Sequence, residues 1–463
     1  MTDGPALGWR ILLVAVLATG AAAAGIGGRA THGAQVSGDE PQYLLTAWSL
    51  YTDGDLDIAD ELATRRWRDF HEAQLPQQTR PLPGGRHISP HDPLLPLLLA
   101  VPMGLGGWVG AKLFLSLIAG ITAAATAWVA VRRFAVPPRV ALAVVAIFWT
   151  SAPLAAYGHQ VYPEMPAALA VVVGLAALTG RLRGGAIATT VAAIVALPWL
   201  AVKYAPVAAV LALVLLFRLV RADRRGAAAW VTVALAVTGV LFVWVHLAVW
   251  GGMTSYAAGD HFVGGEFTAV GSRPNYPGRS SRLLGLLIDR EFGLGAWQPA
   301  WLLAVPAVVA LARRRPRHWL ILVALATVGW FTAAFVAPTM HGWWFPGRQT
   351  VVILPPAVLT LCVAAAGAPW LRRGVLMLGA LGVWSYAWLA VATSSGDVTW
   401  IVDFTTVGDP WYREIPEGEP GRSLVLVRTE RGRRILHAAI GSGALVLERV
   451  GPEIVQASQP NLL

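Results

Sequence analysis

Long apolar runs alternate with short polar breaks along most of the chain. A membrane span needs about 20 mainly apolar residues. By that rule spans fall at 9–28, 108–131, 139–155, 162–180, 185–201, 205–220, 227–250, 298–312, 318–337, 350–369 and 374–393. The pattern predicts an all-α polytopic membrane protein with about eleven crossings. The first run could also be the apolar region of a secretory signal, with Ala21 to Ala24 at a cleavage site. Its length favours a retained anchor.

The first break is long. Residues 29–92 are polar, and Pro93, Pro96 and Pro102 interrupt the apolar stretch after them. We read 93–105 as a short segment at the membrane surface, closing a first outer loop of 29–107. That loop opens with SGDEPQYLLTAWSLY at 37–51. Pro41 suits the first position of a helix, where its missing N–H costs nothing. Leu44, Trp48 and Tyr51 then share one helical face. This predicts a short surface helix with its apolar face in lipid and its positive end near Asp39 and Glu40. The two carboxylates are either an acidic helix cap or a site.

Composition agrees with the pattern. The chain of 463 residues is 56% hydrophobic and 13% charged, with mean hydropathy +0.57, against roughly 25% charged for a soluble domain. The net charge of +10 does not indicate nucleic-acid binding, because the basic residues are not gathered in one patch. They recur in clusters at Arg132 and Arg133, Arg181 and Arg183, Arg218 to Arg225, Arg313 to Arg317, and Arg372 and Arg373. These occupy alternate loops, which the positive-inside rule places in the cytoplasm. The N-terminus is then cytoplasmic, and the first loop and the tail 394–463 are extracytoplasmic in the plasma membrane. The tail carries weak strand signals at 424–427 and 445–450. The single cysteine, Cys362, lies in an apolar run.

The remaining ionisable groups crowd the opposite ends of the spans. His159, Tyr162 and Glu164 open one span in GHQVYPEMP, and Lys203 sits in a turn between two others. His341, Trp344 and Arg348 share HGWWFPGRQT, and His87, His91 and Asp92 close the first loop. Charge at mid-bilayer is costly, so this crowding predicts a polar cavity at one face. Arg348 presents a rigid fork suited to phosphate. Lys203 could equally snorkel to the interface, Trp344 could be an interfacial belt residue, and His246, inside an apolar span, reads as a packed or hydrogen-bonded core histidine. No GxSxG, P-loop, HExxH or CxxC occurs. His87 and His91 are four apart, but flanking prolines argue against a helical metal pair.

The strings GDEPQYLLTAWSLYTDGDLDIAD and GGRHISPHDPLLPLLLAVPMGLGG, with YPEMPAAL and WWFPGRQTVVILPP downstream, resemble the GT-C superfamily of polyprenyl-phosphate-sugar glycosyltransferases. The similar branch includes the lipid A aminoarabinose transferase and protein O-mannosyltransferases. The resemblance covers about residues 9–393 and stops before the tail. It implies a GT-C-like domain over 1–393 and transfer of a sugar from a polyprenyl-phosphate donor to a lipid, glycan or protein acceptor. Asp39 would be the base and Glu40 its helper, with Tyr43 beside them. Relatives often carry a lysine before the prolines after the first loop, where this chain has His91, Asp92 and Pro93. His91, Lys203 or Arg348 would then hold the donor phosphate, and His159, Tyr162, Glu164, His341 and Trp344 would line the cavity. Two neighbouring carboxylates can also hold a divalent metal, Mg or Mn. A lipid or solute transporter, or flippase, is the alternative. It would need ionisable groups near mid-bilayer and repeated halves.

Overall fold

A computed structural model describes residues 4–31, 33–72, 74–76, 78–260, 266, 275–337 and 339–401. The chain divides into two units, one of 1–73 with 77–402, the other of 74–76 with 403–463. The helices and the site belong to the first unit. The strand signals expected in the tail lie outside the described residues.

Each expected span falls on a helix. In order these are α1 (Gly4–Ala24), α2 (Glu40–Thr52), α3 (Ala59–Ala63), α4 (Leu94–Arg133), α5 (Pro138–Trp149), α6 (Leu154–Tyr157), α7 (Glu164–Leu178), α8 (Gly184–Leu200), α9 (Ala205–Arg221), α10 (Arg225–Trp250), the short α11 (Tyr276–Arg279), α12 (Arg282–Ile288) and α13 (Leu294–Trp297), then α14 (Ala304–Arg314), α15 (Trp319–Phe331), α16 (Leu354–Gly367) and α17 (Pro369–Ser395). Among the described residues seven helical stretches are long and apolar enough to cross a membrane. The other expected spans fall on the shorter apolar α5, α7, α8 and α14. The chain is an all-α polytopic membrane protein.

The division expected after the first loop is present. The stretch named α4 is two helices, broken at Gly107 (φ 59, ψ −158), so that 94–106 is a short segment ahead of the span that begins at Trp108. A side chain would resist that backbone, so the break falls on a glycine. One expectation about the first loop changes: α2 does not lie with one face in lipid. Tyr43, Leu44, Leu45 and Ala47 are all buried, and α2 packs along α4. Tyr51 alone of the predicted face is well exposed, and its ring lies over Gly104 of α4, where a Cβ would meet it. The helix is therefore set inside the protein by the start of α4.

Four helices run from a polar end to a basic end. Asp92 precedes α4, which finishes on Arg132 and Arg133; Glu164 opens α7, Lys203 precedes α9, and Arg348 precedes α16. At the far end Arg133 Nε donates to Ala176 O (3.2 Å), Arg218 Nη2 to Gly180 O (3.1 Å), and Arg314 to Gly367 O. Arginines there satisfy carbonyls that helix ends leave open.

Helices α1 and α4 approach closely at Gly120. A Cβ on Gly120 would lie 2.1 Å from Thr19 Oγ1 and 2.7 Å from Ala15 O. The second atom is backbone and cannot swing away. Gly120→Val is expected to cost about 1–3 kcal/mol through overpacking, read as a lower unfolding midpoint of the detergent-solubilised protein.

Candidate functional site

The polar end is organised by Arg348. It opens a 3-10 turn, Arg348–Ile353, that leads into α16. Its Nη2 donates to Asp39 Oδ2 at 2.7 Å and its Nε to Glu164 Oε1 at 3.0 Å. The guanidinium lies over the Tyr162 ring at 3.9 Å and the Trp344 ring at 4.7 Å. Planar charge stacks well on aromatic faces. Glu164, fully buried in the first turn of α7, also accepts from Lys203 Nζ at 2.8 Å. Lys203 sits in the 3-10 turn Val202–Tyr204 and donates further to Gln349 Oε1 at 3.1 Å. Two cations and two carboxylates thus share one hollow.

Asp39 is held there by its own turn. Gly38 has φ +57, and a Cβ on it would meet the Tyr162 hydroxyl at 2.7 Å and Trp343 O at 2.9 Å. Ser37 Oγ donates to Trp343 O (2.9 Å) and Tyr162 Oη to Ser37 O (3.0 Å). Asp39 precedes α2 but its side chain makes no cap bond. It faces Arg348 instead, with 24% of the side chain exposed while Arg348 keeps 7%. Burial would raise its pKa, but Arg348, His91 and Lys203 together lower it from 3.8 to about 2. His91 stacks on Tyr43 at 4.6 Å. Burial and the Asp39 charge push the Tyr43 hydroxyl well above its ordinary value, so it stays a proton carrier.

Glu40 does something else. Its Oε1 accepts from Val161 N (2.6 Å) and its Oε2 from Ser37 N (2.8 Å). Burial raises its pKa, against the pull of Lys112 and those N–H groups. Both oxygens are spent on backbone, and Asp39 is spent on a guanidinium. A divalent metal between Asp39 and Glu40 does not fit this arrangement. Glu40 ties α2 to the turn before α7 and offers no free oxygen to an acceptor.

The expected cavity residues divide. Tyr43, His91, Tyr162, Glu164, Lys203, Trp344 and Arg348 come together around Asp39. His159 packs instead on Trp400 (4.8 Å), beneath Gly25, and His341 packs on Phe292 (4.4 Å).

Two supports, Gln349 and Lys112, escaped the sequence reading, and a third was named there without its pairing. Gln349 holds Lys203. Lys112, buried in α4, donates to Gln35 O at 2.8 Å and balances Glu40. A lone lysine inside an apolar run is itself a signal. The third is a pair, Asp92 and His246. His246 Nε2 lies 2.9 Å from Asp92 Oδ1, and its Nδ1 lies 2.7 Å from Phe242 O. Val202 N donates to Asp92 Oδ2 at 2.9 Å. This pair fixes the residue after His91 and the residue before Lys203.

No protein-family model matches the chain, and no curated protein matches it. Its fold is similar to that of a crystal structure of ArnT from Cupriavidus metallidurans bound to undecaprenyl phosphate. The TM-score is 0.53 at 15% identity, over 86% of this chain and 78% of that one. The chain therefore shares the fold of that protein.

The charge network has two measurable consequences. Glu164→Gln leaves two buried cations facing each other, and breaking a buried pair costs about 3–5 kcal/mol. Thermal unfolding should show a large loss. The lowered pKa of Asp39 means that its contribution to stability is present above 3.8 and is lost as pH falls through about 2. The difference in unfolding midpoint between wild type and Asp39→Asn should therefore be flat from pH 5 to 8, and should shrink only below pH 4.

Proposed function

We propose that this chain is a membrane glycosyltransferase, moving a sugar from a polyprenyl-phosphate donor to an acceptor hydroxyl or amine. One observation carries the reading. A buried guanidinium and an ammonium share a hollow with a single part-exposed carboxylate, Asp39, at its edge. Two features support it: the likeness of the first-loop strings to GT-C transferases, and a fold shared with a protein crystallised with undecaprenyl phosphate.

In this reading Arg348 and Lys203 hold the donor phosphate. Asp39 takes the acceptor proton as the acceptor oxygen or nitrogen bonds to the anomeric carbon. The carbon–oxygen bond to phosphate breaks, and polyprenyl phosphate leaves with the electron pair. Cations fixed on the departing phosphate stabilise charge that grows in the transition state. A positioned base contributes roughly 10²–10⁴-fold. A carboxylate held near pKa 2 is a weak base, but a phosphate on Arg348 loosens the guanidinium's grip on Asp39. The base then gains strength when the donor is in place.

The polar end lies opposite the basic ends of four helices. By the positive-inside rule it faces outward, so transfer is extracytoplasmic. The crowding of charge at one end, away from the middle of the helices, favours a transferase over a transporter. The lipid tail would lie between helices while its headgroup reaches Arg348. The acceptor is a lipid, glycan or protein group at the outer surface.

The test is transfer from labelled polyprenyl-phosphate sugars in membranes carrying each variant. Asp39→Asn should lower turnover at least about 100-fold with the protein folded and inserted. Arg348→Lys should raise the donor KM, since an ammonium cannot make the same fork. Near-normal turnover of Asp39→Asn would remove the proposal.

A further inference from the structure

The carboxylates that do face one another lie at the other end of α2. Asp53, directly after the helix, and Asp60 and Glu61 of α3 each bring one oxygen within 4.8 Å of the others. Asp53 and Asp60 are exposed, whereas Glu61 is 3% exposed. Glu61 Oε2 is buried and has no hydrogen-bond partner. Asp53 Oδ2 accepts from the neighbouring Thr52 Oγ1 (2.6 Å), and the other acids of the same loop are committed to backbone or to Ser49. Asp55 Oδ1 accepts from Ser49 Oγ (2.9 Å) and Asp57 N (2.9 Å). Asp57 Oδ1 accepts from His87 N (2.8 Å) and Ala59 N (3.1 Å).

We propose that Asp53, Asp60 and Glu61 form a site for a hard divalent cation of the calcium type, with Glu61 as its floor and the two aspartates as its rim. A buried carboxylate oxygen left without a donor is costly, and beside two further carboxylates the partner that answers the cost is a cation. All-oxygen ligands select hard ions, and a partial, open set with room for water suits the adaptable shell of calcium. The end of a helix also carries partial negative charge, which favours a cation there. The ion would pin α2 to α3 and so steady, from its far end, the helix that begins beside Asp39. The site shares no residue with the Arg348 hollow and does not depend on how that hollow is used.

The experiment is calorimetric titration of CaCl2 into the chelator-stripped full chain in detergent, with thermal unfolding in calcium and in chelator. One saturable site is expected, with Kd in the range of roughly 10⁻⁵–10⁻³ M, and a higher unfolding midpoint in calcium. Glu61→Gln should weaken binding at least tenfold, while Asp39→Asn should leave it unchanged. Asp53→Asn, at the exposed rim, asks the same question without touching a buried group. Absence of saturable binding up to about 10 mM, above the weak end of known sites, would overturn the proposal. Binding unchanged in both Glu61→Gln and Asp53→Asn, or lost in Asp39→Asn, would do the same.

Discussion

A guanidinium removed from water inside an apolar bundle must be answered in full, and Arg348 is answered from three directions. Asp39 comes from the turn before α2, Glu164 and Tyr162 from the start of α7 and the turn into it, and Trp344 from the loop before α16. Lys203 then uses the capacity of Glu164 that Arg348 leaves. With two positive and two negative groups the hollow is neutral in total charge. Removing any one member strands a buried charge, the expensive case for ion pairs in low dielectric. The network therefore fixes where α2, α7, α9 and α16 begin relative to one another. The asymmetry of exposure matters as well: of the four, Glu164 and Arg348 are closed off, while Asp39 keeps a path to solvent.

Around these charges a further layer of polar contacts holds them in register without adding charge to the hollow. Glu40 accepts two backbone N–H groups and so locks the turn that presents Asp39 to the turn that presents Tyr162 and Glu164. Asp92 does the equivalent for His91 and Lys203, through His246 and Val202 N. His246 is stacked between Phe242 (3.9 Å) and Trp250 (4.6 Å). Both of its ring nitrogens face oxygen, one on Phe242 O and one on Asp92 Oδ1. The buried carboxylates around the hollow thus fall into two kinds: Glu40 and Asp92 brace backbone, and Glu164 meets the two cations.

That distinction sets the limit of what the chain shows when read as a string. The spans were legible, because lipid imposes an apolar length that any helix must meet. So was the general location of the site, because ionisable residues are placed where the helices end. Glu164, Lys203 and Arg348 were singled out by that reasoning, whereas Asp39 could be a helix cap or a site until the resemblance of the first-loop string was added. Their pairing was not legible, since Arg348 lies far along the chain from Asp39 and nothing local encodes the contact. Glu40 looked like a second functional acid because it neighbours Asp39. Adjacent residues at the start of a helix point in different directions, and here they serve different partners. His159 and His341 stand in the connections between helices, and each packs on an aromatic ring instead of facing Arg348. Where such a side chain turns is set by packing, which the sequence does not report. The same reason hid the burial of α2, whose apolar residues satisfy a protein surface as readily as a lipid one.

The direction of the four helices ties these points together. Each leaves the hollow and finishes near the basic end, so its dipole presents a positive terminus to the hollow and a negative one to the arginines. At the basic end that is favourable twice over, since arginine side chains meet carbonyls the helices cannot satisfy themselves. At the hollow, positive termini favour Asp39 and Glu164 as anions but oppose Arg348 and Lys203. The cations are stable there only because the carboxylates are present. An arriving phosphate, itself an anion, is favoured by the same termini that favour Asp39, and it can replace Asp39 on the guanidinium without leaving the cation unanswered. An anionic headgroup exchanging with a carboxylate at a fixed guanidinium requires no rearrangement of the bundle. In the proposed transfer the chemistry therefore sits at one end of the fold while only one side chain changes partner.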